Sequence, residues 1–240
     1  MKESRNFKNL TNLDARELNE LGNAYADYGM WDKALECYER SLSLRREAKD
    51  RRGEMVVLNN LGALYHRQGL WEEALGHYRR SRHLARELGE GSSELATLMN
   101  MAFIQFTRGR REEFFLLAEE AEGLAKKLEG WGSLSKLSWL RGRLAFADAA
   151  IEVAMAHYRE ALHYAAREGA GALEEILRHV DEEVDRLLAQ DSPGLALVFC
   201  DYLLVACQGI EGVRDHLAGK REELLSPSRL PGGEGSGKEN

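Results

Sequence analysis

The sequence predicts an all-α fold, an α-solenoid of antiparallel helix pairs, from three observations. One text recurs every forty residues. It reads LNELGNAYADYGMWDKALECYERSLSL from Leu18 to Leu44 and LNNLGALYHRQGLWEEALGHYRRSRHL from Leu58 to Leu84. From Leu98 to Leu124 it reads LMNMAFIQFTRGRREEFFLLAEEAEGL. Self-similarity at a fixed period marks an array of one supersecondary unit. Each copy also carries two apolar stripes of helical period, with a glycine between them. The composition agrees: 44% of the residues are apolar and only three are proline.

In the copy from Leu58 the first stripe is Leu58, Leu61, Leu64 and Tyr65, one face of a helix. The second is Trp71, Ala74, Leu75, Tyr78, Ser81 and Leu84, with charged residues between. Gly69 separates them and readily takes the positive φ that ends a helix. Gly62 lies inside the first helix, where glycine costs ~1 kcal/mol relative to alanine. The expected reason is a second helix passing close over Gly62, against Ala74. Gly22 with Ala34 repeats the arrangement.

These residues resemble the tetratricopeptide repeat. Its pattern is large-x2-Leu-Gly-x2-Tyr followed by Ala-x3-aromatic. It stands here as Leu18, Leu21, Gly22, Tyr25, Ala34 and Tyr38, and again as Leu58, Leu61, Gly62, Tyr65, Ala74 and Tyr78. Leu replaces the family's usual Trp at the first position. Arg46 and Arg86 replace the Pro that usually closes the second helix, so that helix runs on and lengthens the period from 34 to 40. The resemblance implies a right-handed solenoid, and long repeats of this kind are similar to those that hold extended peptides.

Taken in order, residues 1–12 are a polar lead-in, in which Thr11 or Asn12 caps the first helix and Asp14 and Glu17 favour its positive end. Four helix pairs follow at 13–50, 54–90, 93–130 and 132–168. Asp50 to Gly53 and Gly89 to Ser93 read as turns. In the third pair the expected Ala and aromatic have traded places as Phe114 and Ala118, which keeps core volume. In the fourth, His157, Tyr158 and His163 match His77, Tyr78 and His83, but Leu137, Leu140 and Leu144 fit a spacing of 39, so an extra residue is expected near Ala147–Ala150. Residues 171–225 read as a degenerate fifth pair plus a capping helix, with Ser192 as cap and Pro193 in the first turn. The tail 226–240 is disordered by composition.

The net charge of −7 argues against nucleic acid as a partner. Three scattered cysteines, Cys37, Cys200 and Cys207, read as reduced, buried thiols of a cytoplasmic protein. The opening MKESRNFKN is too polar for a signal peptide, and no apolar run reaches the ~18 residues of a membrane span. No phosphate loop, HExxH or GxSxG motif is present, so no enzyme activity and no cofactor are expected. The histidine pairs stand six apart, on different helical faces, and no metal site is expected. Glu182-Glu183-Val184-Asp185 spells a peptide that some tetratricopeptide domains bind, but here it is internal and helical.

The resemblance places the first helix of each pair along a concave groove. Helical spacing puts Asn19 and Asn23 there, then Asn59, Asn60 and Arg67, then Asn100, Phe103 and Phe106. An amide both donates to and accepts from a peptide backbone, so an asparagine ladder suits an extended chain of little sequence specificity. Asn23 and Asn60 match the asparagines of family members that clamp a terminal carboxylate, whereas Asn19 and Ala96 stand where the accompanying lysines would be. The leading expectation is a non-enzymatic module that binds a peptide or helix of another protein. The alternatives are a homo-oligomeric scaffold that buries Phe103 and Phe106, and a peptide-sensing regulator.

Overall fold

The computed structural model describes residues 13–207, 210 and 212–226. The lead-in, the caps Thr11 and Asn12 and the tail beyond Ser226 lie outside them. Among the described residues the chain is all α and contains no strand. Its helices are α1 (Ala15–Asp27), α2 (Trp31–Glu47), α3 (Arg51–Arg67), α4 (Trp71–Leu88), α5 (Gly91–Thr107) and α6 (Arg111–Leu128). They continue as α7 (Trp131–Ala147), α8 (Ile151–Glu168), α9 (Ala170–Ala189), α10 (Pro193–Ala206) and α11 (Val213–Leu225). Contacts divide the chain into two compact units, Met1–Leu124 and Ala125–Asn240.

The helices start where local chemistry dictates. Asp14, rather than the expected Thr11 or Asn12, caps α1 by accepting from the Arg16 and Glu17 amides, while the Glu17 carboxylate accepts from the Asp14 amide. The Asp50 carboxylate accepts from the Gly53 amide, so α3 begins at Arg51 and the turn expected over 50–53 is mostly helix. Gly53 serves packing: an added Cβ would run into the Arg45 guanidinium, which pairs with Asp50. The stretch 89–93 is corrected likewise, because α5 begins at Gly91.

The helices end with a regular device. A residue of positive φ recurs every twenty positions, at Gly29, Lys49, Gly69, Gly89, Gly109, Glu129 and Ala149. The next amide then returns to a carbonyl five residues back, as in Met30 to Tyr25, Leu70 to Tyr65 and Ala150 to Ala145. Such short turns make successive helices antiparallel neighbours. Three of the seven positions carry a side chain in the left-handed region, which costs ~1–2 kcal/mol each. We expect Ala149→Gly, at φ 58°, to raise the melting temperature by about 1–4 °C, the net of relieved strain and added chain entropy. An unchanged or lower melting temperature would show that the strain is already relaxed.

This rhythm corrects the register expected for the fourth repeat. Starts and ends of α3, α5 and α7 lie forty residues apart, as do those of α4, α6 and α8. No residue is gained near Ala147–Ala150. The leucines were misleading because the matching positions are Gly142, Ala154 and Tyr158.

Those positions also correct the partner of Gly62. A Cβ there would lie 2.7 Å from the Tyr78 ring, at Gly22 2.6 Å from the Tyr38 ring, and at Gly142 2.7 Å from the Tyr158 ring. The glycine makes room for the tyrosine of the second helix rather than for the alanine. In the third repeat the pair is Ala102 and Ala118, both fully buried, beside a fully buried Phe114. Once the ring has moved to position 114, the glycine is no longer required. Gly62→Leu should therefore cost ~1–3 kcal/mol through overpacking. A wild-type urea midpoint would mean that the Tyr78 ring swings aside freely.

The core of the first unit lies between first and second helices, with Leu58, Leu61, Ala74 and Tyr78 at its centre. Ser41 and Ser81 each donate to a carbonyl 26 residues earlier, Ala15 and Met55. Arg46 and Arg86 bond to Glu54 and Glu94 across the following turn, which suits their replacement of Pro. In the second unit Tyr158, Phe199, Val180 and Leu203 are buried in one cluster with α11 residues Val213 and Leu217.

Candidate functional site

In the first unit α1, α3 and α5 bring most of the expected residues to one face. Asn60 donates from Nδ2 to Asn19 Oδ1 at 2.9 Å and to Asn23 Oδ1 at 3.2 Å. The Tyr38 hydroxyl donates to the same Asn23 oxygen at 2.7 Å. Burial pushes this phenol up to about 12, so it stays a neutral donor near pH 7. Asn19 is 9% exposed and belongs to the packing. Asn23 Nδ2 and Asn60 Oδ1 have no partner among the described residues. They flank a depression of about 290 Å³ lined by Asn23, Ala26, Asp27, Asn60, Ala63 and Arg67 among others. Arg67 reaches the Ala26 carbonyl and the Asp27 carboxylate, both at 3.3 Å, from an exposed position.

The α5 part is of a different character. Asn100 is half-buried with no hydrogen-bond partner among the described residues. Phe103 is 44% exposed. Its ring lies 5.7 Å from the edge-on ring of His66 and 6.4 Å from that of Phe106, which in turn meets Phe114 at 5.8 Å. Burial lowers the His66 pKa, so this aromatic row is uncharged near neutrality. Asn59 turns aside and accepts from Thr97 at 3.5 Å.

Tyr38, His66 and Thr97 were missed from the sequence. Tyr38 and Thr97 carry core signatures, and only their polar tips reach this face. Asn19 and Asn60 take part in the packing, because truncating Asn60 would leave the buried Asn19 carbonyl without its donor.

In the second unit Trp139 and Arg143 stand forty residues beyond Met99 and Phe103. Trp139 is buried against Tyr158 and His179. Glu183, 3% exposed, is held by Arg186 and lies 3.8 Å from Arg143. The acidic stretch 182–185 is therefore helical and engaged in packing. Burial also pushes the Cys200 and Cys207 thiols up to about 11, and all three cysteines are buried and unpaired. Among the described residues no cluster of His, Cys, Asp and Glu suits a metal, and no helix is long and apolar enough to cross a membrane.

The sequence matches the tetratricopeptide repeat family over residues 14–87 and 53–127. No curated protein matches it. Among solved structures it is similar to aspartyl phosphate phosphatase F from Bacillus subtilis, with a TM-score of 0.62 at 11% identity over 88% of this chain. It is also similar to BtubC (BKLC) from P. vanneervenii, with a TM-score of 0.60 at 15% identity over 94% of this chain and 84% of that one. The chain spans only 59% of the length of the phosphatase, and at these identities the likeness concerns the fold alone. With the repeat pattern, the glycine–tyrosine crossings and the antiparallel helix pairs in agreement, residues 14–127 are built of tetratricopeptide repeats.

Proposed function

We propose that this chain is a non-enzymatic, cytoplasmic protein-interaction module that holds a peptide or helix of another protein on the face formed by α1, α3 and α5. Repeats of this family generally mediate protein interactions. The observation that supports this particular face is a row of unpartnered amide groups, on Asn23, Asn60 and Asn100, that ends beside the exposed Phe103 ring. Amides satisfy a ligand backbone, and a desolvated aromatic supplies the apolar anchor. Asn19 positions the row by accepting from Asn60, Asn59 stands beside it, and Arg67 adds a charged donor at its edge. The test compares partner affinity between wild type and Asn23→Asp/Asn100→Ala/Phe103→Ala. A second copy of the chain is the alternative occupant, favoured by the exposure of Phe103; sedimentation as a monomer at every concentration removes it.

A further inference from the structure

The first unit holds a second depression, built on α3 and α4 and lined differently. It encloses about 350 Å³ between Arg51, Glu54, Arg79, Arg80, His83 and Leu84. The two carboxylates nearest these cations are already engaged. Glu54 accepts from Arg46 at 2.8 Å and lies 3.9 Å from Arg80. Glu87 is bonded to Arg51. Arg79 has no partner among the described residues. Positive charge thus exceeds negative here, in a chain whose net charge is −7.

The other repeats act as internal controls for what folding requires. Position 79 corresponds to Glu39, Glu119 and Arg159, and position 80 to Arg40, Glu120 and Glu160. Position 83 corresponds to Ser43, Gly123 and His163, and position 51 to Gly91 and Trp131. All these repeats form the same helix pair, so the helix pair does not need the basic set. Only the second repeat assembles all four. Arg79 and Arg80 both line the depression, and a guanidinium fork can hold a doubly charged phosphate through two parallel hydrogen bonds.

We propose that this depression, distinct from the face bearing the amides, binds a phosphate dianion. Free inorganic phosphate and a phosphoserine side chain both carry that group. Sulfate, of the same shape and charge, should occupy the same forks, because guanidinium groups only donate.

The test is calorimetric titration of the full chain with inorganic phosphate and with O-phosphoserine, at a constant ionic strength of about 0.15 M, with serine and sulfate as controls. The expected result is saturable binding at one site, weakened about tenfold or more in Arg79→Ala/Arg80→Ala and unchanged in Arg159→Ala. Tighter binding of O-phosphoserine assigns the site to a phosphorylated side chain, and tighter binding of inorganic phosphate assigns it to the free ion. If the double alanine variant melts early, Arg79→Lys/Arg80→Lys takes its place; it keeps the charge, loses the forks and should still bind more weakly. Absence of saturable binding, binding of serine as tight as that of O-phosphoserine, or unchanged affinity in the arginine variants overturns the proposal.

Discussion

Phe114→Ala is expected to lower the stability of the chain by ~3–5 kcal/mol, the largest effect of any single change proposed for it. Phe114 is fully buried and packs edge-on to Phe106. Its removal opens a cavity beside Ala118 and Ala102, both fully buried and too small to fill it. Adding Ala118→Tyr returns the ring to the position it holds in the other repeats, but the restoration should be partial. At Gly62 and Gly142 a Cβ would lie 2.7 Å from the corresponding tyrosine ring, and Ala102 already carries that Cβ. The triple variant Phe114→Ala/Ala118→Tyr/Ala102→Gly should recover most of the loss. Urea midpoints in the order triple, double, single would establish that ring and glycine form one packing unit. If the triple variant is no more stable than Phe114→Ala alone, the exchange of large and small residues is not what preserves this repeat.

Asn23→Asp/Asn100→Ala/Phe103→Ala should weaken partner binding by roughly 30- to 1000-fold while leaving the fold intact. The choice of residues follows from the hydrogen bonds. Asn23 Oδ1 accepts from both Tyr38 and Asn60, so aspartate keeps those bonds and exchanges the outward donor for a charged acceptor. Asn100 has no hydrogen-bond partner among the described residues to lose, and Phe103 is already 44% exposed. Two ligand amide bonds at ~0.5–1.5 kcal/mol each and an aromatic anchor above ~1 kcal/mol give the stated range, at 1.4 kcal/mol per decade. Asn60 is left alone, because it also satisfies the buried Asn19. The measurement is the affinity of wild type and variant for a partner captured by the wild type, with thermal melts of both. Retained affinity would place the ligand off this face. A lowered melting temperature would show that these side chains serve the packing instead.

The sequence by itself determined the helix pairs, their forty-residue period and the turn glycines. The reason is that these features are local. An apolar stripe at helical spacing or a Gly of positive φ acts within a turn or two of chain. The swap of Phe114 and Ala118 was legible for the same reason, since both residues lie on one face of one helix. Tertiary structure decided what lies opposite. That Gly62 faces the Tyr78 ring rather than Ala74 depends on how far one helix is rotated against the next, and the sequence pattern is the same for either neighbour. The register of the fourth repeat was obscured because leucines recur at 39 as readily as at 40, whereas the helix ends and the fit of the Tyr158 ring over Gly142 separate the two. The helix and position of each amide were legible from the repeat spacing, but the amides' bonds were not. Asn60 meets Asn19 across 41 residues of chain, and whether such an amide turns to a neighbour or to solvent is set by a distance of 2.9 Å that no spacing in the sequence encodes.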